Sequence, residues 1–392
     1  MFTVLFILAI ALFVAVHEFG HLVAARLTGM KATAYFIGFG PKIWSFKPGE
    51  TEYGLRAILL GGYVKVVGMN SLEEVDPADS DRSFRSKPLS SRIFVLVAGV
   101  VMNFLIALLL IGVALAAFPV PLDAQGTPVS AANALETNEI AAVVEGSAAQ
   151  AAGVQVGDRI VSVNGQPVSS FIELRTQIRE SAGERVRLGV ERDGSMLELT
   201  ATLPALGGEQ DAVLGVAPVV PPAPQTGRIS LSQLPREATI GQYGIVTMIT
   251  QSAVGLGQVL HPERLASLFG QLDGGERSVN DPISVVGVGQ IASTLLREGE
   301  LFAVLFLMAH VSVLLGLLNI LPVPPLDGGQ VVTNSIEDVI RRWRRRRNKD
   351  DDWSLDPRVT APIAATVFAF LLLVGVTAIV IDLMNPASQL LQ

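Results

Sequence analysis

The chain has 392 residues, half of them hydrophobic, with a mean hydropathy of +0.48 and a formal net charge of −7. That is too apolar for a soluble globular protein of this length; it points to several membrane spans with room for one folded soluble domain. Cysteine is absent, which excludes disulfides, thiolate metal sites and a cysteine nucleophile.

The first element is "LAIALFVAVHEFGHLVAARL", part of an apolar run over residues 2–25 long enough to span a bilayer. It has no basic stretch before the apolar run and is polar where a signal peptide needs small residues, so we read it as a span. His17, Glu18 and His21 interrupt it, although an ionisable group inside a span costs roughly 2.5–3.5 kcal/mol on insertion scales.

Next, "AYFIGFGPKIWSF" and "ETEYGLRAILLGGYVKVVG" carry the Gly/Pro punctuation of β hairpins. A second span is expected over 93–118. Residues 119–300 hold eleven Arg, no Lys and twenty Asp/Glu, which lacks the basic face of a nucleic-acid partner. Within them, "VGDRIVSVNGQPV" predicts a strand closed by an Asn164–Gly165 turn, and "RVRLGVERDGSMLELTATL" a hairpin through Asp193–Gly194. "SFIELRTQIRES" places Phe171, Ile172, Leu174 and Ile178 as the apolar side of a short helix. The expected fold is a compact α+β domain of about five strands and two helices over 125–205. "IGQYGIVTMITQSAVGLGQVL" (240–260) is long enough to cross, but its Gln, Ser, Thr and Gly residues favour an amphipathic helix on the membrane surface or against the bundle.

Spans three and four are expected over 301–321 and 359–384. Between them lie "LLNILPVPPLDGGQ", where three prolines break the helix, and "RRWRRRRNK" (341–349), a topology anchor and anionic-lipid contact. Basic residues gather between spans one and two and between spans three and four. Both loops then face the cytoplasm, and both termini and residues 119–300 lie outside.

His17 and His21 are four apart, so on a helix both imidazoles face one side, with Glu18 nearby. This is H-E-x-x-H: two histidines for Zn²⁺ and a glutamate as general base toward a water. Zinc needs a third protein ligand. The extended motif H-E-x-x-H-x-x-G-x-x-H does not fit, because Ala24 and Leu27 stand at its last two positions. We read His261 and His310 as structural. Of the acids near membrane depth, Asp382 lies toward the outer end of span four. Asp327 follows the proline break, where Gly328 and Gly329 permit a tight chain path, and it matches His21 in depth. A fifth span at 240–260 would put Asp327 on the side opposite His21, so a shared metal favours four.

The insert's "EGSAAQAAGVQVGDRIVSVNG" resembles a PDZ domain of bacterial envelope proteases. His17-Glu18-Phe19-Gly20-His21, Asn319-x-x-Pro322-x-Pro324-x-Leu326-Asp327-Gly328, "LGGYVKVVG" and Gly99-x-x-x-Asn103 make the whole chain similar to the site-2 proteases, zinc intramembrane metalloproteases, in their bacterial branch with one PDZ domain.

The resemblance implies a polytopic α-helical membrane protein with four transmembrane helices, membrane-associated β hairpins and an inserted α+β PDZ domain. Residues 1–118 would hold the first two spans and the β region, 125–205 the PDZ domain, 206–300 a linker with membrane-surface helices, and 301–392 the last two spans. One Zn²⁺ is expected on His17, His21 and Asp327, with Glu18 activating water. Asn103, Asn319, Gly61, Gly62 and Tyr63 are candidates for holding substrate, the asparagines alternatively for interhelical hydrogen bonds. The implied substrate is a single-span membrane protein of the anti-sigma-factor type, already trimmed outside, or a signal-peptide remnant. A peptide or C-terminus could bind the PDZ groove. The implied location is the inner or plasma membrane. The competing readings are a catalytically silent PDZ scaffold and a metal transporter.

Overall fold

The computed structural model describes residues 2–70, 73–123, 126–129, 138–168, 170–204, 214–219, 225–271, 283–347, 353 and 355–385. The expected ends of the 125–205 domain, much of the 206–300 linker, the side chain of Ile172, and Asn348 and Lys349 of the basic run lie outside them. The chain forms two compact units: Met1–Phe118 with Leu231–Gln392, and Pro119–Ser230.

The first unit begins with helix α1 (Phe2–Leu27). It stops where Gly29 takes φ 68° and the Met30 N–H returns to the Ala25 carbonyl, a left-handed C-terminal cap that glycine tolerates without a Cβ penalty. Strands β1 (Ala32–Phe46) and β2 (Glu52–Val66) form one long antiparallel hairpin with repeated register shifts. It packs on α1, where Tyr35 donates its hydroxyl to the Ala15 carbonyl at 2.7 Å. Helix α2 (Leu89–Ala117) then runs beside α1.

The second unit is built from short elements: β3 (Val120–Leu122), β4 (Ile140–Val143), α3 (Ala148–Ala151), β5 (Arg159–Val163), β6 (Gln166–Pro167), α4 (Phe171–Glu180), β7 (Arg185–Arg192), β8 (Ser195–Thr202), β9 (Val216–Pro218) and β10 (Gln225–Gly227). An antiparallel sheet in the order β6–β5–β7–β8 is joined by smaller β4–β9 and β3–β10 pairings. Both expected turns are present. Asn164 and Gly165 (φ 50° and 81°) close β5 on β6, and Asp193 and Gly194 (φ 51° and 77°) close β7 on β8. Positive φ at both central residues matches the right-handed twist of the strands. Ser170 caps α4 by accepting the Glu173 N–H, and α4 lays Leu174 and Ile178 into the core. Ile160, Leu188 and Val190 from the sheet are fully buried there. Each stabilises the unit by roughly 1.5–3 kcal/mol.

One buried charge sits in that unit. Asp158 accepts from Arg192 Nε at 2.6 Å, Arg192 Nη2 at 2.7 Å and the Gln155 N–H at 2.8 Å. Burial pushes its carboxyl upward, but these bonds and the Arg192 charge outweigh it and hold Asp158 below the usual range.

The chain returns to the first unit with α5 (Leu234–Ile240), α6 (Ile245–Val259), α7 (Pro262–Gly270), α8 (Val285–Glu298), α9 (Leu301–Ile320), α10 (Asp327–Arg346) and α11 (Pro357–Met384). Among the described residues four helices are long and apolar enough to cross a membrane: α1, α2, α9 and α11. The fifth candidate is α6, whose 15 residues rise about 22 Å, short of the ~30 Å hydrocarbon core. It packs on α9 and α5.

One feature differs from expectation and one adds to it. The extended path at Asp327 is only six residues long, because Asp327 itself opens α10, and most of the basic run is the last part of that helix. Gly328 and Gly329 therefore serve close approach: a Cβ on either would strike the backbone of residues 320–324. Asp382 is a buried staple. Its Oδ2 accepts from the Ser284 N–H at 2.7 Å and the Gly287 N–H at 3.1 Å, tying α11 to the start of α8. A carboxylate suits the positive end of a helix.

The spanning helices are unequally enclosed. Of the apolar stretch of α1, 56% is buried; of that of α11, 11%. Along α1, Phe6, Ile10 and Phe13 pack with Ala292 and Met308, and Ala24 and Ala25 pack with Val66, Val95 and Leu96. The H-E-x-x-H segment lies between these two apolar clusters.

Candidate metal centre

The site is assembled on α1. His17 and His21 lie one turn apart and are buried, each 7% exposed. Asp327, at the first turn of α10, reaches them from 310 positions away in sequence. His17 Nε2 is 3.1 Å from Asp327 Oδ2, His21 Nε2 is 3.4 Å from the same oxygen, and the two Nε2 atoms are 3.2 Å apart. Zinc bonds of 2.0–2.1 Å in a tetrahedral array require ligand atoms about 3.3–3.4 Å apart. The three donors are thus spaced as one face of such a tetrahedron, and no other cluster of His, Asp and Glu of this kind occurs among the described residues. His261 and His310 stay outside it; His310 stacks edge-on against Phe306 at 5.5 Å.

Three elements close around the histidines. From α2, the Val95 carbonyl accepts from His21 Nδ1 at 2.7 Å, and the Asn103 amide is 3.2 Å from His17 Nδ1. From α9, the Asn319 amide nitrogen is 3.3 Å from His17 Nε2. From β2, the Val64 backbone amide bonds to the Glu18 carboxylate. Gly62 lies so close that a Cβ would meet Glu18 Cγ at 3.1 Å, Val14 Cγ1 at 3.2 Å and the Phe36 carbonyl. Gly61 takes φ 103° with the Phe39 ring against it. The Tyr63 ring stacks on Phe36 and its hydroxyl accepts from Arg56 at 2.9 Å, so that side chain belongs to the hairpin.

Two cavities meet the cluster from different sides. The larger, about 1100 Å³, has Glu18, His21 and Asp327 in its wall, together with Lys65, Arg92, Gln330 and Glu337. The smaller, about 300 Å³, is lined by Phe13, Val14, Phe39, Leu315 and Leu326 beside His17, Asn103 and Asn319. Both walls mix polar and apolar groups, and both include Glu18, Gly62, Pro325 and Asp327; the two differ chiefly in volume. These apolar wall residues carry no signal along the chain, because Phe13, Val14 and Leu315 look like any other residue of an apolar span.

A multi-pass membrane protein carrying two histidines, a carboxylate and a neighbouring glutamate in this arrangement is a membrane zinc metallopeptidase by fold and site. Comparison with known proteins agrees. The Peptidase family M50 pattern matches residues 5–351. The zinc metalloprotease Rip1 of Mycobacterium tuberculosis is 34% identical across 98% of this chain and 97% of its own length. Rip1 of Mycolicibacterium smegmatis is 33% identical over 98% of each. The regulator of sigma-E protease RseP of Salmonella typhimurium is 28% identical over 85% of this chain and 89% of its own. The chain belongs to peptidase family M50, the site-2 proteases. It is a zinc-dependent intramembrane protease, and its His17–His21–Asp327 cluster fits a single zinc ion; the silent-scaffold and transporter readings are set aside.

Proposed function

We propose that His17, His21 and Asp327 are the zinc ligands and that Glu18 is the general base for hydrolysis of a peptide bond inside a single-span membrane protein. Bound zinc supplies a Lewis acid for a water and for a peptide carbonyl. Glu18 takes the proton of the attacking water and delivers it to the departing amide nitrogen. The single observation that carries this reading is the 3.1–3.4 Å triangle of ligand atoms with Glu18 on the same helix turn.

The two cavities divide the traffic. Water reaches the site through the larger one, and an apolar side chain of the substrate enters the smaller, beside Phe13, Val14 and Leu315. Gly61 and Gly62 bring the β2 backbone close enough for an unwound substrate to lie alongside as a further strand. Asn319, in the wall of the smaller cavity, holds the substrate backbone; Tyr63 contributes through its backbone. The hairpin is membrane-associated, because Ile43, Trp44 and Ile58 are exposed apolar residues beside Lys42.

The insert is a PDZ domain that captures or filters substrate ends. Both termini and the insert lie outside the plasma membrane, and the basic α10 lies inside. The substrate is a single-span membrane protein of the anti-sigma-factor type or a signal-peptide remnant; the Salmonella relative's name, regulator of sigma-E protease, is in keeping with the first.

The test is Glu18→Gln in purified protein with a single-span substrate. Zinc content should stay unchanged while cleavage falls by about 10²–10⁴-fold, the usual contribution of a general base. Cleavage at the wild-type rate would remove Glu18 from the reaction.

A further inference from the structure

Asn103 stands on α2 with a partner that a substrate-holding role would not explain. Val95, Gly99 and Asn103 are spaced by four, so they form one stripe of α2, and all three meet the histidines. The Val95 carbonyl accepts a hydrogen bond from His21 Nδ1 at 2.7 Å. Gly99 leaves the space: a Cβ there would lie 2.7 Å from His17 Cε1 and would also strike His21 Nε2. Asn103, 1% exposed, puts its amide 3.2 Å from His17 Nδ1. From behind, Ser312 of α9 donates to the Asn103 backbone carbonyl at 2.8 Å, and Gly316 lets α9 close on the same turn.

We propose that Asn103 is a positioning residue that fixes the tautomer and ring angle of His17, so that Nε2 faces the zinc. The proposal rests on the zinc reading above. A neutral imidazole that gives Nε2 to a metal carries its proton on Nδ1, and that proton needs an acceptor. With Nδ2 toward His17, Asn103 is a donor, and the buried Oδ1 has no hydrogen-bond partner among the described residues. An amide turned by 180° fills the same volume. That turn gives Oδ1 to the Nδ1 proton and removes the unpaired acceptor. Asn103 then does for His17 what the Val95 carbonyl does for His21. One helix thereby orients both ligands, the first through a side chain and the second through its backbone.

Zinc affinity and histidine NMR of the purified full-length protein test this. Asn103→Leu should weaken zinc binding about 10- to 100-fold, the usual effect of losing a partner of a metal-bound histidine. Asn103→Asp, which can only accept, should bind within a few-fold of wild type. The chain has four histidines, so ¹⁵N-histidine spectra are readable. In the zinc-loaded wild type, the Nδ1 protons of His17 and His21 should both be protected from exchange. In Asn103→Leu only that of His17 should lose protection. The wild-type spectrum needs no variant to fold: a proton on His17 Nε2 with zinc bound overturns the proposal. Unchanged zinc affinity in Asn103→Leu with a raised KM also overturns it and makes Asn103 a substrate contact. Wild-type protein that takes up no zinc breaks the underlying zinc reading instead.

Discussion

The two units of this chain hold polar groups in their interiors by opposite means. In the insert, β-branched and leucine side chains meet in a core, and the buried charge Asp158 finds its partners within about 35 residues. In the spanning unit, buried polar groups pair over much longer stretches: His17 with Asp327 across 310 positions and Ser284 with Asp382 across 98. Water drives apolar side chains together in the first case. Inside a bilayer, lipid is as apolar as leucine, so packing, close backbone approach and satisfied polar groups decide which helices meet. Some glycines differ in the same way. In the insert Gly165 and Gly194 serve turns, whereas in the spanning unit Gly62, Gly99 and Gly328 make room for a neighbour.

If this contrast holds, substitutions in the spanning unit should act on the metal and those in the insert on local stability alone. The largest effect is expected from Asp327→Ala, which removes one of the three protein ligands. Zinc affinity should fall by more than the roughly 100-fold upper value for losing an outer partner. Metal analysis after dialysis checks it; full zinc occupancy would exclude Asp327 as a ligand.

Gly99→Ala comes next. Its methyl group meets both imidazoles, and overpacking of this kind costs about 1–3 kcal/mol. We expect zinc affinity to drop by about tenfold or more while the helical circular dichroism stays the same. Wild-type affinity would show that α2 can retreat without cost.

Asp158→Ala should destabilise the insert by roughly 2 kcal/mol, the range for hydrogen bonds to a charged group, and leave zinc binding and cleavage of a short substrate untouched. Because the folded carboxyl sits below its unfolded value, its stabilisation is present above the unfolded pKa of about 3.9 and is lost as pH falls through the folded value. Hydrogen exchange of the insert's amides in the full-length protein should rise at acid pH in wild type and depend less on pH in the variant.

The smallest effect is expected from Asp382→Asn, which keeps an acceptor but loses the charge at the start of α8. About 1 kcal/mol should appear as faster exchange of the first α8 amides. A loss of zinc in this variant would break the comparison, since it would couple the α8–α11 staple to the metal.

Much of this arrangement was readable along the chain. The four spans follow from runs of about 20 apolar residues, and the Asn164–Gly165 and Asp193–Gly194 turns from local conformational preference. His17, Glu18 and His21 declare themselves because ionisable groups in a span need a purpose. Asp327 was legible by its depth. The α10 helix was not, since three prolines and two glycines read as a broken segment when their neighbours are unknown. Nor was the partner of Asn103, an asparagine equally suited to substrate, to another helix or to a histidine.

By itself, then, the sequence determined which stretches cross the membrane, which residues could bind zinc and where the insert turns. Those are properties of a segment and its immediate neighbours: length, period and φ preference. Only the tertiary structure decided that Gly99 clears space for two imidazoles, that Gly62 lies against Glu18, and that a large and a small cavity reach the same cluster. Such contacts depend on how closely two backbones approach, and that distance is set by helices and strands far apart in the chain.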